Sequence, residues 1–522
     1  MAERIEITML TDELKADIVS LLAESTKVTH GAVFADLRLT VGQGKGAAAE
    51  NMALRGAGED YGMAVGIRVI AETNAIHAPG YDGRSVGAEE FEHLREIIRE
   101  MLAKALARAQ ANADEKFLTK LRYGALGQSL WDMQLRYPEW PKEPRVVLAQ
   151  YAEDPVTHPL EHLKDLVQNA ALLFKESGRA IRYSFIGAGT GMTREFYANS
   201  FGVSITQDFA LSQAVVYAAS GDTAVVDVLG HQRGPEIFTH GIDEPYIKFP
   251  ALDNLARKIR EDVLALAKAP TCPTTEKEVV VVSDPHYNTL LVHEIVGHPT
   301  ELDRGLKMET AYAGRTWLLK DMKNTMVGQR IGSPLLNAYS DPALPGYGQY
   351  RYDHEGVRGR RVDHIVKGVF TGFMNSLQTS TIFGGEPNGH WKATSPELVP
   401  LIRMSNTVFG QGDDDPKDLV GDVEDGYYLE GHAIPSISES RENFRISARK
   451  VWKIEKGELT TLYKKGGMMA DSRDYFMAVD GVGTDFRLYP IPNCGKGQPM
   501  QVKKLGNGGP TLRSRAKITG GA

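Results

Sequence analysis

The sequence predicts an α+β protein of two domains: a mixed helix and antiparallel-sheet domain over residues 1–270, and a β-rich, barrel-like domain over residues 271–522. Three observations carry this. The 522 residues are 42% hydrophobic and 24% charged, an ordinary globular composition in a chain long enough for two cores. The first half alternates stretches of helical period with runs of period two. The second half is a series of short strand-like runs punctuated by glycine, the pattern of a barrel or sandwich sheet. Pro270 and Pro273 stand between the halves and mark the boundary.

Taken in order, Thr11-Asp12-Glu13 caps a helix with Leu14, Ile18, Leu21 and Leu22 on one face. Strands follow at Phe34–Thr40 and Met63–Ile70. A long helix from Ala88 to about Ala113 places Phe91, Leu94, Ile98, Met101, Leu102 and Leu106 at helical spacing, its charged residues forming a solvated face. Tyr137–Pro144 is proline-rich and aperiodic, hence a loop. A helix over Pro159–Glu176 buries Leu160, Leu163, Leu166, Val167 and Phe174. Period two returns in Ile181–Phe185 and Val203–Gln207, an antiparallel pair. Gly187-Ala188-Gly189-Thr190-Gly191 has no following helix and no Lys-Ser/Thr partner, so it reads as a turn and not a phosphate loop. The helix Leu252–Lys268 closes the half. Beyond residue 270, strands are expected at Val279–Val282, Val362–Val366, Val369–Phe373, Tyr427–Glu430, Phe444–Lys453 and Glu458–Tyr463.

Net charge is -7, which argues against nucleic acid as the main partner. The start, Met1–Glu6, lacks the basic and apolar regions of a signal peptide, and no apolar run reaches the length of a membrane span. There are two cysteines and no CxxC pair, so a reducing compartment, the cytoplasm, is expected.

One stretch carries chemistry. Asp284 offers an N-cap and Pro285 a first helical position, so a helix begins there and runs through Leu290-Leu291-Val292 into His293-Glu294-Ile295-Val296-Gly297-His298. The common metallopeptidase pattern spaces its histidines four apart. Here the spacing is five, which on an ideal helix is ~140° of rotation and ~7.5 Å of rise. The two imidazoles meet only if the helix ends or widens into a π-like turn at Gly297, with Pro299 biasing His298 away from α geometry. A capped, buried helix with two hydrogen-bonded histidines also fits this spacing. Cys494 favours the metal: Pro492-Asn493-Cys494-Gly495-Lys496-Gly497 lets backbone approach closely, with a lysine nearby to favour thiolate. Two imidazoles and a thiolate leave a fourth tetrahedral position open, as a catalytic Zn2+ requires. Cys272 has no such setting and reads as inert. His286 shares the helix face of His293, but a rise of ~10 Å is too large for one ion.

Together these residues resemble a known family. His293–His298 with Glu301 and Asp303, then Asp353-His354-Glu355-Gly356, Gly384 through Arg403-Met404-Ser405-Asn406-Thr407, Cys494–Gln498 and Gly509–Arg513 are similar, in that order, to the landmarks of the TldD/PmbA metallopeptidases. The resemblance implies that His293, His298 and Cys494 bind zinc and that Glu294 is the catalytic acid/base. It also implies a dimer, either of this chain or with a paralogue lacking the ligands. Two stretches depart from the family pattern. Pro299–Asp303 lacks the usual glycine between its acids, and Ser438–Asn443 replaces a glycine-valine-aspartate-threonine-glycine type turn, where substrate lining is expected.

The expected activity is zinc-dependent hydrolysis of unfolded or short peptides, with Glu294 handling the proton. A maturation hydrolase for one modified peptide, or a non-catalytic scaffold subunit of a dimer, are the alternatives. Retention of Glu294 beside the ligands argues against the scaffold. Glu301 and Asp303 are candidates for orienting a histidine, with helix-end charge pairing as their other reading. His354, His390, Arg403 and Asn406 are candidate supporting or substrate-facing residues.

Overall fold

A computed structural model of the protein describes residues 4–28, 31–123 and 135–521. A seven-stranded sheet occupies the first half: β1 (Ala32–Glu50), β2 (Ala53–Thr73), β3 (Ile76–Val86), β4 (Arg145–Val147), β5 (Tyr183–Asn199), β6 (Ser204–Ser220) and β7 (Thr223–His231). The order is β3-β2-β1-β5-β6, and both β4 and β7 pair with the outer side of β6.

The expected strand Phe34–Thr40 is the first part of the much longer β1, and Met63–Ile70 lies in the last part of β2. The extensions are rich in glycine and alanine, which have little strand preference of their own; pairing of β1 on both edges holds them in register. The same physics corrects the turn expected at Gly187–Gly191. Those residues lie inside β5, paired to Ala48–Gly44 on one side and Val215–Leu211 on the other. A Cβ on Gly191 would lie 2.6 Å from the Gln43 carbonyl oxygen, so the glycine lets the strands close up.

Alternation puts Leu37, Leu39, Val41, Ala47 and Ala49 of β1 on one buried face. The helices Asp12–Val28 and Leu94–Tyr123 pack with the first three, and the helices Leu160–Leu172 and Leu252–Lys268 with the last two. The long helix starts in a 3₁₀ turn over Ala88–His93 and runs ten residues past the expected end at Ala113. The opposite sheet face carries Thr40, Gly42, Gly44 and Gly46, with Gly187, Gly189 and Gly191 alongside, and floors a cavity.

The second half is built on a closed five-stranded barrel, as the glycine-punctuated pattern implied. Val279–Ser283 runs parallel to Asp425–Ile437 and antiparallel to Leu512–Gly520, while Asn443–Glu455 and Gly466–Asp471 complete the ring. The helix Pro285–Val292 leaves the first barrel strand and is buried almost all round. A six-stranded sheet contains the paired strands Arg487–Lys496 and Gln501–Gly509, the first of which bears Cys494. Among the described residues no helix is long and apolar enough to cross a membrane.

Candidate metal centre

Asp284 ends the first barrel strand, and its Oδ1 accepts the Tyr287 amide at 2.6 Å, with Pro285 at the first helical position. Regular α geometry lasts through Val292. The helix then widens into a π turn over His293–Gly297, the His298 amide bonding to the His293 carbonyl. That i→i+5 bond is what the five-residue spacing needs, because it returns His298 to the side of His293. Their rings stand 4.6 Å apart between centroids and nearly perpendicular. Gly297 is required by packing, since a Cβ there would overlap the Met404 thioether.

Cys494 arrives from a hairpin strand at an irregularity between Ile491 and Cys494. Its Sγ lies 3.6 Å from His298 Nε2. One donor atom each from His293, His298 and Cys494 lie within 4.8 Å of one another, all three residues being buried.

The surroundings fit a metal. Glu301 Oε2 lies 3.0 Å from His298 Nδ1; with a carboxylate as acceptor, Nδ1 carries the proton and Nε2 is free to ligate. The Asn507 carboxamide lies 3.2 Å from His293 Nδ1, while its Oδ1 is buried with no partner. Turning that carboxamide over sets Oδ1 on Nδ1–H and frees the other nitrogen of His293 in the same way. Burial alone would raise the Cys494 thiol, but the His293 and His298 imidazoles and the Arg403 guanidinium outweigh it and hold the thiol well below its ordinary value. Burial lowers His293, but the thiolate beside it outweighs this and raises the imidazole above its ordinary value. With a cation in place of the imidazole protons, two imidazoles and a thiolate are a donor set for zinc with one position left over.

The lysine expected to favour the thiolate does something else. Lys496 is fully buried against Asp303 (2.7 and 2.8 Å), the Ile402 carbonyl (2.7 Å) and Glu301 (3.2 Å). Arg403 fills the expected role: it donates to the Cys494 carbonyl at 2.6 Å and the Gln501 carbonyl at 3.1 Å. Glu301 is thus tied to His298, Lys496 and Arg304, and Asp303 is linked to the centre through Lys496.

Residues 276–520 match the model of the PmbA/TldA metallopeptidase C-terminal domain. The C-terminal half of the chain is thus similar to that domain of the TldD/PmbA metallopeptidases. Over 271 residues it is 32% identical to a protein of Methanothermobacter thermautotrophicus named metalloprotease, covering 52% of this chain and 56% of that one. It is 27% identical over 334 residues to a zinc metalloprotease TldD homolog of Saccharolobus solfataricus, covering 63% and 69%. The chain thus spans about half the length of the first of these relatives. The fold as a whole is similar to that of TldE from Thermococcus kodakarensis, at 17% identity over 97% of this chain and all of that one, with a TM-score of 0.69. A Thermotoga maritima structure superposes at a TM-score of 0.71, with 14% identity over 98% of this chain and all of that one.

In this chain Glu294 forms an ion pair with Arg441, a buried residue 147 positions away. Burial pushes the Glu294 carboxyl up; Arg441, His293 and His298 more than offset this and hold it below its ordinary value. Arg441 has a φ of 65°, and Tyr312 and Ala313, whose carbonyls lie within 3.5 Å of its guanidinium, each have a φ of 55°. Three non-glycine residues in the left-handed region meet over the glutamate, the kind of strain that persists where surroundings enforce it. Sequence reasoning missed Arg441; its one signal was that Ser438–Asn443 departs from the family pattern.

The centre opens on a cavity of about 670 Å³, with His293, Glu294 and Arg441 at one end and His286, His432 and Asp227 at the other. His286 and His432 stack at 4.7 Å and lie outside the ligand group. The remaining candidates are placed away from this cavity. His354 bonds Glu195 at 3.2 Å and accepts the Ala393 amide at 3.0 Å. His390 packs on Ser405 and Asn388, and burial pushes it down to about 3. Asn406 accepts the Gly348 amide at 3.0 Å and donates to the Leu344 carbonyl at 2.8 Å. Each satisfies buried backbone or side-chain groups and faces no open space in this cavity.

Proposed function

We propose that the protein is a zinc-dependent peptidase that hydrolyses unfolded or short peptides. One juxtaposition supports this most: three donor atoms within 4.8 Å and a glutamate on the same π turn, all bordering a cavity of about 670 Å³. The metalloprotease names of the relatives agree with it. A zinc ion held by His293, His298 and Cys494 supplies Lewis acidity toward a scissile carbonyl and toward water, moderated by the thiolate's charge. The remaining work falls to the chain. Glu294, ionised at neutral pH, takes a proton from the attacking water and passes it to the leaving amine. Arg441 holds that carboxylate in place and sets a fixed positive charge beside the oxygen that becomes negative. Glu301 and Arg403 fix the His298 ring and the Cys494 backbone. Leu290, Val215 and Pro490 to Pro492 supply apolar wall along which an extended chain lies.

The two-domain division at residue 270 and pairing with a second subunit, this chain or a ligand-lacking paralogue, belong to the same proposal. The β1–β2 hairpin, exposed from Ala53 to Asp60, offers a surface for the pairing, which light scattering of the purified protein reads directly.

Metal analysis and peptide turnover test the site. About one zinc per chain is expected, lost in His298→Ala and Cys494→Ser. Glu294→Gln keeps the metal and loses about 10²–10⁴-fold in turnover of an unstructured peptide. Near-stoichiometric zinc in both ligand variants, or near-parental turnover in Glu294→Gln, overturns the assignment.

A further inference from the structure

The sheet face opposite the helices links the metal centre to a second, chemically distinct recess. Gln213, Val215 and Pro492 border both the metal cavity and a trough of about 920 Å³. Gly42, Gly44, Gly58 and Gly62 pave that trough. A Cβ at any of the four meets nothing closer than 3.7 Å, so packing does not demand glycine there, and the effect of its absence is to keep the floor low. At the far end Thr193, Leu211, Thr394 and Lys504 border both the trough and a recess of about 270 Å³.

Three lysines line that recess. Lys392 Nζ lies 2.9 Å from Glu195 and 4.8 Å from the Tyr350 ring centre. Lys503 Nζ lies 4.9 Å from the same ring and donates to the Met404 carbonyl at 2.9 Å, and Lys504 Nζ lies 5.7 Å from the Tyr347 ring. Among the described residues Glu195 is the one carboxylate lining the recess, and it is already shared between Lys392 and His354. The recess therefore gathers three lysines and one carboxylate against aromatic rings that weaken their hydration. Burial and the neighbouring Lys392 and Arg403 hold Lys503 well below its ordinary value and burial lowers Lys504, so both lack a counter-charge that a bound anion would supply. Such a place attracts an anion.

The spacing says what kind. Along β6, Gln213 and Val215 border the metal cavity, and Phe209 and Leu211 border the lysine recess. Two to six residues of strand separate these pairs, and from either cavity residue to Phe209 the span is four to six residues, ~13–20 Å. An extended peptide covers that span with the same number of residues. We propose that the lysine recess is a substrate subsite, taking a carboxylate carried several residues along the peptide from the bond cleaved at the metal centre. This rests on the peptidase reading above and names the class of peptide that reading leaves open.

The test uses the zinc-loaded Glu294→Gln protein and fluorescein-labelled, unstructured, C-terminally amidated peptides in which a single Glu is walked along an otherwise uncharged sequence. Each has a Gln counterpart, and a matching set ends in a free carboxylate. Glu at one or two adjacent positions is expected to tighten binding about tenfold over Gln, with the advantage falling below about twofold in Lys503→Met and Lys504→Gln. A preference shown by the free-acid set alone supports the subsite and assigns it to the peptide C-terminus. Equal binding of Glu and Gln at every position, with no free-acid preference, overturns the subsite. The peptide comparison on unsubstituted lysines does not depend on either variant folding. Turnover by the parent protein separates the two claims: cleavage without acid preference removes the subsite alone, and acid preference without cleavage removes the peptidase reading alone.

Discussion

Glu301→Gln probes whether the buried charge behind His298 sustains the metal site. Glu301 Oε2 receives His298 Nδ1 at 3.0 Å, Arg304 Nε at 2.8 Å and Lys496 Nζ at 3.2 Å, and all four residues are buried. Glutamine keeps the shape and one accepting oxygen but removes the charge. Lys496 would then keep Asp303 as its carboxylate, while Arg304, whose ion pair is with Glu301, would lose its counter-charge; both side chains are fully buried. Removing one partner from a buried pair costs about 3–5 kcal/mol. Removing the carboxylate behind a metal-ligating imidazole lowers metal affinity about 10–100-fold, ~1.4–2.8 kcal/mol. Chelator competition at neutral pH should therefore show zinc bound one to two decades more weakly, and the urea midpoint in excess zinc should fall. The pH dependence has a definite sign. Burial raises the Glu301 carboxyl, but Lys496, His298 and Arg304 hold it well below its ordinary value. A depressed folded-state value contributes stability that is present above the unfolded carboxylate value and lost as pH falls through the folded one. The gap between parent and variant should be constant near neutrality and narrow in acid. Zinc affinity within twofold of the parent, in a variant with an unchanged urea midpoint, would refute the reasoning.

Three further outcomes are expected. Gly297→Ala forces a methyl onto Met404 and should cost about 1–3 kcal/mol by overpacking; recovery of zinc binding in Gly297→Ala/Met404→Ala would locate the strain, and no loss in the single variant would count against a required π turn. Arg441→Ala removes the leading charge that opposes burial at Glu294, so the carboxyl rises and the acid limb of kcat/KM moves to higher pH; an unmoved limb would mean that another group sets it. Because the centre is buried and reached through a cavity, a denatured protein should be digested and its stable folded form spared under the same conditions. Equal rates for both forms would show an open site.

What could be read from the chain itself was whatever local rules decide. Asp284 and Pro285 start a helix by capping chemistry, Pro270 stops the helix Leu252–Lys268, and the five-residue histidine spacing with Gly297 and Pro299 demands a break that the π turn supplies. Glycine-bounded short strands announced a barrel, and its closure is in the pairing of Val279–Ser283 with Leu512–Gly520. Cys494 entered through scarcity and family landmarks, because nothing local ties it to a helix 196 residues earlier. Tertiary structure alone decided the rest. Glycine and alanine in β1, β2 and β5 have no strand preference to read, and neighbouring strands impose one. Lys496 sits two residues from the thiolate yet spends its charge on Asp303, 193 positions away, while Arg441 reaches Glu294 across 147. A buried charge must find its counter-charge wherever the fold brings one, and that choice of partner is made by burial and distance in space, which spacing along the chain does not encode.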